Sequence, residues 1–168
     1  NITKNSNYVF FKDMEFTNSV VGGIFINTAC RSTIEFENCV FRNITGGAIV
    51  IDSAADVILR NCTFENIDSK QGSAIKVNNN EASVKISDTK FINTKAGASF
   101  EVTNGPDKTL TISFNSTENY IGSIYSLGDV QLNNVEYWDG IRMVNTNNVP
   151  STNTLKNKTV VMFIKTKG

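Results

Sequence analysis

"VFRNITGGAIV", residues 40–50, holds Phe41, then Asn43 two places on, a glycine pair at Gly46 and Gly47, and an apolar run. Taken alone it describes a turn between two short strands. It has counterparts along the chain: "EFTNSVVGGIFI" (15–26), "TFENIDSKQGSAIKV" (63–77), "KFINTKAGASFEV" (90–102) and "STENYIGSIYSL" (116–127). The corner glycines Gly22, Gly46, Gly72, Gly97 and Gly122 follow one another at spacings of 24, 26, 25 and 25. Ahead of them stand Phe16 with Asn18, Phe41 with Asn43, Phe64 with Asn66, and Phe91 with Asn93. The fifth unit has Thr117 before Asn119, and the sixth has Tyr137 before Asp139. A fixed period over most of the chain is the mark of a solenoid.

The pattern inside each unit says which solenoid. Ahead of each Phe-x-Asn pair runs an alternation: Val9/Phe11, Ile34/Phe36, Val57/Leu59, Val84/Ile86, Leu110/Ile112 and Val130/Leu132. Behind the glycines runs another, with Ile49/Ile51, Ile75/Val77, Phe100/Val102 and Tyr125/Leu127. Period two means strand with one buried face. Leucine-rich repeats share the repeat length, but five leucines cannot supply their pattern. The expected fold is all-β: a right-handed single-stranded parallel β-helix of about six 25-residue coils, with a C-terminal capping or exchanged strand. Phe should fill the interior, and Asn18, Asn43, Asn66, Asn93 and Asn119 should form a hydrogen-bonded ladder at a corner where left-handed backbone is cheap for Asn. The polar inserts "NTACRST" (27–33), "NNNEAS" (78–83) and "TNGPDKT" (103–109) should cluster on one edge.

The solenoid is expected over 1–144, a polar linker over 145–158 ("NTNNVPSTNTLKNK") and a C-terminal strand over 159–168, beginning "TVVMFIK". That strand is expected to cap the rod or to pair with a neighbour. Starting at Asn1 without Met, the sequence is expected to be a processed product or a piece of a longer chain.

Composition narrows function. Sixteen basic and sixteen acidic side chains give no global field for nucleic acid or an anionic membrane, and no apolar run reaches a membrane span. There is no histidine, hence neither the usual base near neutral pH nor the commonest metal ligand. Sequons begin at Asn1, Asn43, Asn61, Asn115 and Asn157 and are candidate glycosylation sites. Of three cysteines, Cys30, Cys39 and Cys62, the last two occupy equivalent places in adjacent coils. They would lie about 4.8 Å apart, which admits either a disulfide or two buried thiols.

With its Gly-Gly-Ala-Ile corner at 46–49 and recurring Phe-x-Asn, the chain resembles the adhesin-like parallel β-helix proteins over roughly residues 8–140. These include the chlamydial polymorphic membrane proteins and adhesin-like surface proteins of some archaea and protists. The resemblance implies a cell-surface or secreted location and an adhesive or structural role. The partners expected are other copies of the chain, other domains of a larger surface protein, or glycans.

Other β-helices cleave pectin-type polymers. The polygalacturonase G-H-G motif is impossible without histidine, and no D-D pair occurs. The nearest equivalent of a lyase cluster is Asp52 and Asp56 with Arg60, flanking the turn "DSAAD", where acids are common for turn reasons. No catalytic, metal or cofactor site is expected. Trp138, with Tyr120 nearby in the C-terminal coils, is the expected contact residue. The function expected is a non-catalytic extracellular module; the alternatives are a polysaccharide-binding or polysaccharide-cleaving β-helix and a self-assembling fibre subunit.

Overall fold

The computed structural model describes residue 2 and residues 8–27, 31–68, 74–94, 100–104, 109–114, 123–138, 143–146, 153–154 and 161–165. The chain winds through three parallel faces. The first stacks β1 (Tyr8–Lys12), β4 (Thr33–Glu37), β7 (Asp56–Arg60) and the leading halves of β10 (Ser83–Ile92) and β14 (Asp129–Trp138). The second stacks β2 (Glu15–Ser19), β5 (Val40–Thr45), β8 (Thr63–Asp68) and the trailing halves of the same two long strands. The third stacks β3 (Ile24–Ile26), β6 (Ile49–Ile51), β9 (Ile75–Val77) and β13 (Ile124–Ser126).

Alternation in each strand sends every second side chain inward. Ile34, Phe36, Val57, Leu59, Val84, Val130 and Leu132 are all buried from the first face, and Ile49, Ile51, Ile75, Val77 and Ile124 from the third. The Phe column of the second face is stacked nearly flat: Phe16 on Phe41 at 4.9 Å, Phe41 on Phe64 at 4.7 Å and Phe64 on Phe91 at 4.6 Å. These separations are the strand spacing itself, so the backbone ladder dictates ring stacking.

Six coils were expected, and the fifth 25-residue unit is not one of them. After three unbroken coils, the fourth is interrupted: β13 pairs with β9, and β14 pairs with β10. The intervening β11 (Phe100–Asn104) and β12 (Thr109–Phe114) form an antiparallel hairpin in a separate sheet. Phe100/Val102 and Leu110/Ile112 are therefore hairpin positions, and the insert 103–109, expected on an edge of the rod, runs from the first hairpin strand to the second in sequence, with 105–108 outside the described residues. Thr94 and Ser123, on either side of the excursion, are hydrogen-bonded hydroxyl to hydroxyl at 2.8 Å, so the chain leaves and re-enters the rod at one point.

The C-terminal strand β17 (Val161–Lys165) pairs antiparallel with β12 of the same chain. The edge of β14 is covered by two returning antiparallel strands, β15 (Met143–Asn145) and β16 (Asn153–Thr154), the second from within the segment expected to be linker.

A smaller correction concerns the glycine corner. Ile24 is in register with Ile49, so Gly22 lies over Gly47, not Gly46. Ile24, Ile49, Ile75 and Ile124 form the inward column, while Phe25 and Tyr125 lie on the outer side. A one-residue slip exchanges the two faces of a strand. Tyr125, expected in a core column, instead carries Lys76 over its ring at 5.9 Å. Gly22 and Gly47 hold φ of 99° and 94°, and a Cβ at Gly23 would lie 2.3 Å from the Ala48 carbonyl oxygen, so this corner admits only glycine.

Candidate functional site

On the first face the outward side chains form three rows across the rungs. One row reads Phe10, Glu35, Ile58, Lys85, Gln131, and the next Lys12, Glu37, Arg60, Ser87, Asn133. Where they meet near the C-terminal rungs lies a groove of about 550 Å³, lined by Ile58, Arg60, Lys85, Ser87, Gln131 and Asn133. A smaller recess of about 200 Å³, lined by Thr33, Asp56, Ser83 and Lys85, continues from it. Lys85 reaches both and makes no ion pair with the described residues.

Charges at the N-terminal end of this face are mutually engaged. Glu35 is buried to 7 % exposure beneath its neighbours; the Tyr8 hydroxyl donates to one carboxylate oxygen and the Arg60 guanidinium to the other. That hydrogen bond to the carboxylate, with desolvation and the carboxylate's negative charge behind it, raises the Tyr8 pKa. Lys12 pairs with Glu37 at 3.0 Å, which raises the lysine pKa through the hydrogen bond and the attraction between the charges. On the second face Arg42 bridges Glu15 at 3.0 Å and Glu65 at 2.8 Å.

Asp52, Asp56 and Arg60 do not converge. Asp52 leaves the third face, where its carboxylate accepts from Asn78 Nδ2 at 2.6 Å. Asp56 opens β7 on the recess, and Arg60 closes the same strand beside Glu35. The described residues contain no group of three or more Cys, Asp or Glu side chains arranged to hold a metal ion. No helix among them is long and apolar enough to cross a membrane.

Trp138 ends β14 opposite Met143, beyond the corner at Asn134 and so away from the groove face. Tyr120 lies outside the described residues, as do Asn1, Asn115, Asn119, Asn157 and Cys30. Asn18, Asn43, Asn66 and Asn93 do stack: Asn43 donates to Asn18 at 3.2 Å, Asn66 to Asn43 at 3.2 Å and Asn93 to Asn66 at 2.8 Å. All four have φ between 49° and 58°.

A second column lies outside the Phe-x-Asn pattern. Asp13, Asn38, Asn61, Asp88 and Asn134 turn the chain from first to second face with φ of 50–54°. Asn38 donates to Asp13 at 3.0 Å, Asn61 to Asn38 at 2.7 Å, and Asn134 to Asp88. The signal was present: in each of the first four coils an Asp or Asn stands five residues before the ladder Asn. Both described sequons lie in these columns, Asn43 in one and Asn61 in the other. Each Nδ2 already donates along the stack, so a glycan on either nitrogen would compete for space with the carboxamide or carboxylate a rung away.

The cysteine column is explained by the same corner. Cys39 and Cys62 are buried free thiols. Cys39 Sγ points at the Glu37 carbonyl (3.4 Å), Cys62 Sγ at that of Arg60 (3.3 Å), and Thr89 Oγ1 repeats the contact with Ser87 at 2.8 Å. A small donor suits the position that follows a left-handed residue, and two parallel sulfurs have no need to join. Burial pushes the Cys62 thiol up to about 11 and the Cys39 thiol up as well.

A family model described as a right-handed β-helix region matches residues 2–162. Neither the curated proteins nor the solved structures contain a match.

Proposed function

The chain belongs to the right-handed β-helix family, and we propose that it is a non-catalytic binding module of a secreted or cell-surface protein, adhesin-like in role, that holds a glycan in the groove of its first face. The observation that carries this reading is the groove itself. Lys85, Arg60, Gln131, Asn133 and Ser87 present donors and acceptors on successive rungs, with Ile58 as an apolar floor. Rungs repeat at about 4.8 Å, close to the length of one sugar residue, so an extended oligosaccharide can meet several rungs at once.

Binding without cleavage is supported by how two of the acids, Glu35 and Asp52, are engaged. Glu35 is held between Tyr8 and Arg60, and Asp52 is held by Asn78 on another face. A cleaving β-helix is the second reading, favoured by Asp56 standing near Lys85 in the recess.

The test is equilibrium binding of the 168-residue chain to neutral and uronate-containing oligosaccharides, with product release followed in the same samples. Lys85→Ala and Gln131→Ala are each expected to weaken binding about tenfold, as loss of a contact worth ~1.4 kcal/mol does. The fold, followed by circular dichroism, should be unchanged. Product release abolished by Asp56→Ala would establish the cleaving reading. Unchanged affinity in both groove variants would remove the groove from function.

A further inference from the structure

The two ends of the rod are finished differently. At the C-terminal end β15 and β16 pair along β14. At the other end β1, β2 and β3 each pair with a parallel strand on one side only among the described residues. Met14 is exposed there, although its equivalents Cys39 and Cys62 are buried, and at the neighbouring corner Val20 and Val21 are 80 % and 90 % exposed. Phe11 and Phe16 are only partly covered, whereas their equivalents one coil up, Phe36 and Phe41, are wholly buried.

One residue already sits on the missing rung. Ile2 forms a parallel bridge with Ile26: its N–H donates to the Phe25 carbonyl at 2.8 Å, and its carbonyl accepts from Asn27 N–H at 3.0 Å. Ile2 thus occupies the third-face position of a coil beneath the first. The asparagine ladder agrees. Each Nδ2 in it donates toward the N-terminal end, and Asn18, the last, has no acceptor for its own among the described residues.

We propose that this end is a docking surface for one further parallel coil, carried by the same polypeptide ahead of Ile2. The surface states the coil's chemistry: inward aromatic or large aliphatic side chains beneath Phe11 and Phe16, and an Asn or Asp whose Oδ1 accepts from Asn18. Head-to-tail stacking of a second copy is opposed by β15 and β16, which occupy the edge of β14 that it would need.

The register defines the experiment. Ile2 corresponds to Ile51, so a copy of residues 31–49 fused ahead of Asn1 supplies the coil. A control carries Phe36→Ser, Phe41→Ser and Asn43→Ser within the copy only. The intact copy is expected to slow amide exchange in 8–12 and 15–19 by about tenfold or more, equivalent to ~1.4 kcal/mol of added protection. It should also abolish binding of a hydrophobic dye, and the control should do neither. Equal exchange in extended and unextended chains, or equal effects of copy and control, overturns the proposal. So does a dimer of the unextended chain, seen by light scattering, that Val21→Glu dissociates, because the surface would then serve a second copy.

Discussion

Asn66 shows what a single corner residue contributes. It holds φ of 53°, donates to Asn43 and accepts from Asn93. Asn66→Gly keeps the backbone and loses the side-chain bonds, so it should cost about 1–2 kcal/mol in urea unfolding. Asn66→Val adds the left-handed penalty of a branched side chain and should cost about 1–2 kcal/mol more. Equal losses would mean that backbone geometry contributes nothing. Cys62 makes a prediction in pH. Its folded pKa of about 11 lies above the ordinary 9.0, so the unfolded thiol ionises first as pH rises. The stability this site contributes is whole below pH 9 and falls as pH rises from 9 toward 11. Cys62→Val should flatten that part of the stability curve relative to the parent. At this scale the sequence was legible where a residue repeats beside a landmark, as Asn does after Phe. The second column is harder to read because Asp and Asn share it and no Phe marks it in every coil.

Among the elements, the hairpin at 100–114 is the one the repeat disguised. Its two alternating strands and the glycines at 97 and 122 reproduce one coil's length, so periodicity cannot separate the two structures. Chemistry could have: Thr117 stands where Phe belongs, and "NGPD" at 104–107 has the composition of a turn. Because Thr94 and Ser123 meet at 2.8 Å, replacing 95–122 by a short Gly-Asn turn should leave a folded rod with most of the parent's thermal stability. Collapse of the far-UV strand signal would show that the hairpin supports the coils. The strand at 161–165 joins that hairpin and not the coils. Truncation after Lys158 should accordingly leave amide protection in 33–37 and 56–60 unchanged. Conversion of an assembled species to a monomer by the same truncation would support the fibre-subunit alternative. The apolar run announced a strand, but its partner was illegible, because pairing between distant segments leaves no periodic trace.

For the molecule as a whole, the class of fold could be read from spacing alone, whereas the groove could not. Lys85, Gln131 and Arg60 carry no shared motif and become neighbours only through rung register. The same register has a mechanical consequence. Strands lie across the rod and each coil is bonded only to the coils above and below, so tension applied at the two chain ends loads the ladders one rung at a time. Extension in an optical trap should therefore be a staircase. Each ordinary coil, 25 residues from Ile26 to Ile51, releases about 85 Å of contour. The fourth coil, swollen by its side hairpin, should give one step near twice that length, a mechanical signature of where the winding was interrupted.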